Sequence, residues 1–403
     1  MKCKFCSHAV HHEFIDLVNA PPSNAYLTLA QLDEPEIFYP LKVVVCEKCF
    51  LVQVDEYKKS DEIFDANYAY FSSMSNSWVK HAKNYVEMIT DKKNLNSDSQ
   101  VIEIASNDGY LLQFFQSKDI PCLGIEPTRS TADVARSKGI KVIEDFFGEQ
   151  LAKTLPKADL ILGNNVLAHV PNINDFVKGL KITLKVDGVI TMEFPHLLNL
   201  IEKSQFDTIY HEHFSYLSLS TTMNIFSTHG LQIYDAEELL THGGSLRIYA
   251  THTECSPIAT KRLSDVLKNE ISANLNQLEG YKDFQEKATK IKYDFLNFLL
   301  QAKAQKKKVV AYGAAAKGNT LLNYCGIKND LIEFVVDKAP LKVGKYLPGS
   351  HIPIVTEEKI RELKPDYVII FPWNIKDEIV NQLRYIKKWD GQFIVTIPTL
   401  EIL

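Results

Sequence analysis

The sequence predicts an α/β protein with two doubly wound units in one chain, preceded by a small metal-stapled module. Three features carry that reading. From residue 101, near-continuous apolar runs alternate with helical stretches (VIEIASNDG, CLGIEP, KVIEDFF, ADLILGNNVLAHV, DGVITMEFP), the pattern of a parallel sheet covered on both faces. A second series follows a long helical stretch near 261–305: KVVAYGAAAKGNTLL, LIEFVVDK, DYVIIFPWN and GQFIVTIP. Two CxxC pairs stand near the amino end. A chain of 403 residues exceeds one ordinary core. The expected boundaries are 1–66 for the metal module, 67–255 for a central Rossmann-like domain, and 256–403 for a helical linker with a C-terminal Rossmann-like domain.

The N-terminal module is too small to bury much core and needs a staple. Cys3 and Cys6, then Cys46 and Cys49, make CxxC…CxxC with residues 7–45 between. Each pair can put two sulfurs on one edge of a metal, and two pairs complete a tetrahedral four-thiolate site. Such a site leaves no position for water or substrate, so the expected Zn2+ is structural. His8, His11 and His12 are read as surface histidines. The remaining cysteines are scattered, unlike a disulfide framework. Beyond the module, YFSSMSNSWVKHAKNYVEMI has helical spacing after a serine-rich lead-in.

The run VIEIASNDGYLLQFF reads as strand, turn and helix start. Such a turn brings backbone close to a ligand and usually relies on glycine. Here only Gly109 remains, with Ala105, Ser106, Asn107 and Asp108 in the other places. In a Rossmann-like methyltransferase this turn passes under the methionine part of S-adenosylmethionine, so Glu103, Tyr110 and Leu111 are expected beside it as well. Glu126, followed by Pro127, comes 17 residues after Gly109 at the end of the next strand. An acid there can accept from both ribose hydroxyls. Asp145 and Phe146 follow the third strand and either flank adenine or stand in a surface loop. Asn164 and Asn165 end the fourth strand, at the edge where α/β sheets hold ligands.

After the fifth strand, FDTIYHEHFSYLS gathers Tyr210, His211, Glu212, His213 and Tyr216 within seven residues. Histidine suits proton transfer near neutral pH, and a nearby carboxylate or phenol can orient it or face an oxyanion. His169, in NNVLAHVPN, is a second candidate, and His242, in the turn THGGSLR, a candidate ligand contact. In the C-terminal half, GAAAKGNT lies between strand VVAY and a helix expected to begin near Asn319. Small residues and Lys317 at a strand-to-helix turn suit phosphate. Three readings stand: an NAD site with Asp337 ending the next strand, the pyrophosphate of a sugar nucleotide contacted by Lys317 and Asn319, or a duplicated fold whose old site only packs. The second is preferred.

Composition narrows the classes. Hydrophobic content of 45% and charged content of 24% suit a soluble globular chain. No run approaches 18 apolar residues, and MKCKFCSH lacks the apolar core of a signal peptide, so a cytoplasmic protein with no membrane partner is expected. A net charge of −5 argues against a nucleic-acid partner. A monomer is the expected state, with weak self-association as the alternative.

Taken in order, the two CxxC pairs, PPSNAYL, YFSSMSNSW, IEIASNDGYLL, YHEHFSYLS, THGGSLR and YGAAAKGNTLLNY resemble one family over nearly the whole chain. It is that of the C-methyltransferases acting on nucleotide-linked keto-deoxysugars, including those that methylate the third carbon of thymidine-diphosphate 4-keto sugars on antibiotic pathways. The resemblance implies a zinc-binding N-terminal domain, a central S-adenosylmethionine domain, and a C-terminal Rossmann-like domain closing over the nucleotide-linked keto-sugar. It implies His213 as general base, with Tyr210, Glu212 and His169 in the same active-site group. It also implies that Tyr68 and Ser72, towards the cofactor, and Tyr70, Phe71 and Ser73, towards the sugar, line the cleft. The rival classes are an O- or N-methyltransferase on a sugar nucleotide, an NAD-linked oxidoreductase using the C-terminal motif, and a zinc-ribbon nucleic-acid binder.

Overall fold

A computed structural model describes residues 1–57 and 71–403. Tyr68 and Tyr70 lie outside the described residues. The described chain falls into two compact units, each discontinuous in sequence. Met1–His11, Cys46–Leu197 and Phe214–Gly280 make the first, and His12–Val45, Leu198–His213 and Tyr281–Leu403 the second.

The earliest strands belong to the second unit. β1 (His12–Ala20) and β2 (Tyr39–Val45) pair antiparallel, with register shifts along β1. They turn Phe14, Ile15, Leu17, Leu41 and Val43 inward. Phe14 stacks on Phe284 with centroids 4.6 Å apart.

In the first unit, β3 (Val52–Val54) pairs antiparallel with a two-residue strand, β9 (Ser215–Tyr216). The main sheet is built from β4 (Val101–Ile104), β5 (Cys122–Ile125), β6 (Val142–Ile143), β7 (Ala158–Asn164), β8 (Leu184–Pro195), β10 (Leu231–Leu239) and β11 (Ser245–His252). Its order is β10-β11-β8-β7-β4-β5-β6. Strands β6 to β8 are mutually parallel through β5, β4 and β7, as their apolar runs predict. β11 and β10 then continue the sheet antiparallel. The β10 segment, LQIYDAEEL, carries three acids.

Asp235 pairs with Arg262 and Glu237 with Arg247. Arg247 sits opposite Glu193 on β8 and Glu237 on β10. It bonds Glu193 at 2.7 Å and reaches Glu237 at 3.4 Å. Burial pushes the Glu193 carboxyl up, but the His81 hydrogen bond and the Arg247 charge outweigh it and hold the group at about 2. A folded-state value below the ordinary glutamate range gives stability that is present above that range and lost as pH falls towards about 2. Arg247→Met leaves Glu193 buried without its counter-charge and is expected to cost about 3–5 kcal/mol in urea unfolding at pH 7. A loss under about 1 kcal/mol, the range of an exposed pair, would show that the pair is solvated instead.

The helix Asn76–Lys93 buries Trp78, Ala82, Tyr85, Val86 and Ile89, one face at helical spacing. Ser75 caps it by accepting from the Trp78 amide, and Asn94 ends it in a left-handed conformation. With Leu112, Phe115, Leu160, Leu162 and Tyr249, this face forms a core on the sheet.

The second unit carries β12 (Val309–Tyr312), β13 (Val335–Val336), β14 (Ile354–Val355), β15 (Tyr367–Ile370), β16 (Gln392–Val395) and β17 (Glu401–Ile402) in the order β14-β13-β12-β15-β16-β17. All pairs are parallel except the antiparallel β16–β17 edge. The order reverses at β12, a topological switch point. The helix after β12 spans Ala316–Cys325, three residues earlier than expected, so Lys317 and Asn319 lie in its first turn. Two helices, Lys261–Ser272 and Phe284–Ala304, replace the single long stretch expected between the units' sheets. Left-handed Asn274 and Asp283 interrupt it. Among the described residues, no helix is long and apolar enough to cross a membrane.

Candidate active site and metal centre

The two CxxC pairs adopt the same turn. Cys3 N donates to His8 O and Ser7 N to Cys3 O; likewise Cys46 N donates to Leu51 O and Phe50 N to Cys46 O. The residue four places on, Ser7 or Phe50, is left-handed in each. The Sγ atoms of Cys3, Cys6, Cys46 and Cys49 all lie within 4.8 Å of one another. Cys3 and Cys49 are 3.5 Å apart, and Cys6 and Cys46 3.6 Å. Four Zn–S bonds of about 2.3 Å in a tetrahedron put sulfurs about 3.8 Å apart, so the set fits Zn2+. His8 instead pairs with Glu47 at 2.8 Å.

The turn after β4 explains its missing glycines. Ala105, Asn107 and Gly109 are all left-handed, at φ +56°, +49° and +73°. Two non-glycine residues therefore hold strained backbone where glycine is usual. At Gly109 a side chain would also meet Ile140 at 2.4 Å. Asn107 N donates to Glu126 Oε2 and Thr128 N to Glu126 Oε1, each at 2.9 Å, so the turn and the end of β5 are tied. Ser72 N donates to Asn107 Oδ1 at 2.9 Å. Phe71 and Ser73 flank Ser72 half-buried.

Beneath the turn lie polar atoms short of partners. Neither oxygen of Glu103 or Asp108, nor Ser106 Oγ, has a hydrogen-bond partner among the described residues. All three residues are fully buried. Burial, then the neighbouring Glu126 and Asp108, pushes the Glu103 carboxyl well above its usual range. An acidic cradle short of donors, with Lys138 Nζ standing 3.8 Å from Asp108 Oδ2, fits the ammonium and sulfonium end of S-adenosylmethionine, and Glu126 keeps lone pairs for ribose hydroxyls.

Tyr110 and Leu111 are buried behind the turn. Asn164 reaches Tyr110 Oη at 3.5 Å, and the Asn165 amide donates to His242 Nε2 at 2.8 Å. Asn165 and His242 are both left-handed. Trp78 stacks on Tyr110 and His81 and meets His242 edge-on at 4.8 Å. His81 Nε2 lies 2.9 Å from Glu193, and Thr241 donates to Glu193 at 2.8 Å. Sequence reasoning missed Trp78, His81, Glu193, Thr241 and Arg247. One signal was available: Glu193 is an acid inside an apolar strand, a type rarely buried unless paired. Pro127 follows Glu126 half-buried, and His169 ends a short turn, also half-buried. Asp145 and Phe146 are exposed; the Asp145 carboxylate accepts from the Phe146 amide.

In the second unit the YHEH segment forms its own cluster. The His213 ring lies 4.1 Å from that of Tyr210. His213 Nδ1 is 2.9 Å from Thr208 O. A carbonyl can only accept, so Nδ1 carries a proton. Asn24, from PPSNAYL, donates to Glu212 Oε1 at 2.7 Å. His211 Nε2 donates to Pro40 O at 3.1 Å, and burial holds that ring below its usual range and neutral. Lys317 Nζ donates to Asn374 Oδ1 at 2.7 Å, and Asn319 donates to Ser23 O at 2.5 Å.

A Rossmann-like sheet with this turn and a complete thiolate site define an S-adenosylmethionine-dependent methyltransferase that carries zinc. Over 406 aligned residues the chain is 31% identical to the C-methyltransferase NovU of Streptomyces niveus, covering 100% of this chain and 96% of that protein. The chain belongs to the zinc-binding, S-adenosylmethionine-dependent C-methyltransferase family. Family models match as a zinc binding domain over residues 3–64, a methyltransferase domain over 80–236 and a C-methyltransferase C-terminal domain over 240–398. An S-adenosylmethionine-dependent methyltransferase of Clostridium acetobutylicum aligns with 43% of this chain and 92% of its own, at 13% identity and TM-score 0.36. The magnesium protoporphyrin IX methyltransferase of Synechocystis PCC 6803 covers 43% and 79%, at 14% identity and TM-score 0.35. Likenesses this slight say nothing of function.

Proposed function

We propose that the chain methylates carbon, at the third position, in a cytoplasmic nucleotide-linked 4-keto-deoxyhexose, with His213 as general base. One observation carries the reading: Thr208 O fixes the proton on Nδ1 of His213, so Nε2 is preset to receive one. The family resemblance supplies the sugar, and a ketone at the fourth carbon makes the neighbouring C–H acidic enough for an imidazole to take. His213 Nε2 accepts that proton while the C–H electrons pass into the enolate. Tyr210, against the His213 ring, faces the developing oxyanion with its phenol. Glu212, anchored by Asn24, holds the segment in place. When bound, S-adenosylmethionine supplies the electrophilic methyl group, in a cradle of Glu103, Ser106, Asn107, Asp108 and Glu126.

The test separates this from O- or N-methylation, which needs no enolate. Wild-type protein with S-adenosylhomocysteine is incubated in D2O with a panel of 4-keto nucleotide sugars and read by mass spectrometry. One deuterium gained beside the ketone, in a sugar that also gains a carbon-bound methyl when the donor is supplied, is the expected result. Methylation at oxygen or nitrogen without such exchange refutes the reading.

A further inference from the structure

The helix Ala316–Cys325 grips the segment Phe206–His213 along one face, since residues 317, 320 and 324 are spaced by three and four. The Tyr324 ring meets Phe206 edge-on at 5.4 Å. Thr320 Oγ1 donates to Ile209 O at 2.8 Å. Asp207 is fully buried and accepts from Trp373 Nε1 at 2.7 Å. Lys317 Nζ lies 4.3 Å from the Trp373 ring centroid and donates to Asn374 Oδ1 at 2.7 Å. Burial pushes the Asp207 carboxyl up to about 6, against the opposing pull of Lys317 and then Trp373. The next residue, Thr208, provides the carbonyl that fixes the His213 tautomer.

The turn opening this helix follows β12, where the sheet order reverses and a phosphate would ordinarily settle. Here the chain's own groups fill it. Ala314 O accepts from Tyr26 Oη at 2.6 Å and from Lys342 Nζ at 2.8 Å, and Ala314 N donates to Asp337 at 2.8 Å. A side chain at Gly313 would meet Pro372 at 2.4 Å.

We infer that Trp373 and Lys317 are positioning residues: Trp373 holds Asp207 and Lys317 packs on Trp373, so that Thr208 O holds His213 in its Nδ1–H tautomer, and Lys317 is no ligand of the substrate's phosphates. Its kinetic consequence rests on the proposed role of His213, but the geometric claim does not. Two variants that keep bulk, Lys317→Met and Trp373→Phe, are compared with wild type in the full-length zinc-loaded protein. For each, kcat is expected to fall by up to about 10²-fold, the scale of a small misplacement remote from the chemistry, with KM for the sugar nucleotide unchanged. In 15N-histidine spectra the His213 ring is expected to move from the Nδ1–H pattern towards mixed tautomers. A raised KM at constant kcat in Lys317→Met would make that lysine a phosphate ligand and overturn the inference. So would an unchanged His213 tautomer in both variants. The spectra need no substrate, so they decide the inference even if the deuterium test shows that a 4-keto sugar is not the substrate.

Discussion

His213→Ala is expected to lower methyl transfer by about 10²–10⁴-fold, the usual cost of removing a positioned base, and to leave cofactor affinity where it was. The two halves of that expectation have separate causes. Proton removal needs a lone pair in place, and Thr208 O provides one on Nε2 by engaging Nδ1–H. On the proposed reading, cofactor affinity draws on the strained turn at Ala105–Gly109, tied through Asn107 to Glu126. His211 makes a useful control. Its Nε2–H is committed to Pro40 O and its ring is buried and neutral, so His211→Gln should act on stability before chemistry. Turnover assays and calorimetric titration with S-adenosylhomocysteine give both readouts. Wild-type turnover in His213→Ala would remove the base from the mechanism.

Stripping zinc is the second large effect. The thiols already crowd one another: contact with Cys49 pulls Cys3 down, while contact with Cys3 pushes Cys49 up. A divalent cation replaces that proton sharing with four thiolate bonds. In zinc-finger peptides such sites contribute about 10–16 kcal/mol, and metal removal unfolds the module. Beside the cysteines the buried apolar residues are Val10, Leu51, Val52 and Val54, a small core for the module to fold around without its metal. One zinc per chain by elemental analysis is expected, with a large fall in Tm on chelation and a similar fall in Cys46→Ser. A chain that lost its metal with an unchanged Tm would show that the site is dispensable to folding.

Much of the architecture was legible because it rests on periodicity. The parallel strands of the first sheet are mostly apolar runs separated by helical stretches, the pattern of a sheet covered on both faces. The antiparallel β10 and β11 were not legible, since the acid Glu237 meets its partners Arg247 and Tyr249 only in the fold. The four cysteines were legible as a metal site from spacing alone. The turn after β4 was half-hidden, because Ala105 and Asn107 take backbone conformations that the letters reserve for glycine. The Lys317–Asp207–Trp373 cluster was beyond reach. Those three residues are scattered from 207 to 373, and only the fold brings them together.

The interleaving of the chain between its two units has a consequence during synthesis. The Asp16 amide binds the Gln285 side chain, a partner 269 residues downstream. At about 5–20 residues per second, a ribosome takes on the order of 13–54 s to deliver that partner. Through that interval the nascent hairpin carries Phe14 without its Phe284 cover, a sticky surface awaiting the last third of translation. Expression yield should therefore depend on holding factors at the exit tunnel, and messages cut short before residue 284 should yield aggregates rather than a working half.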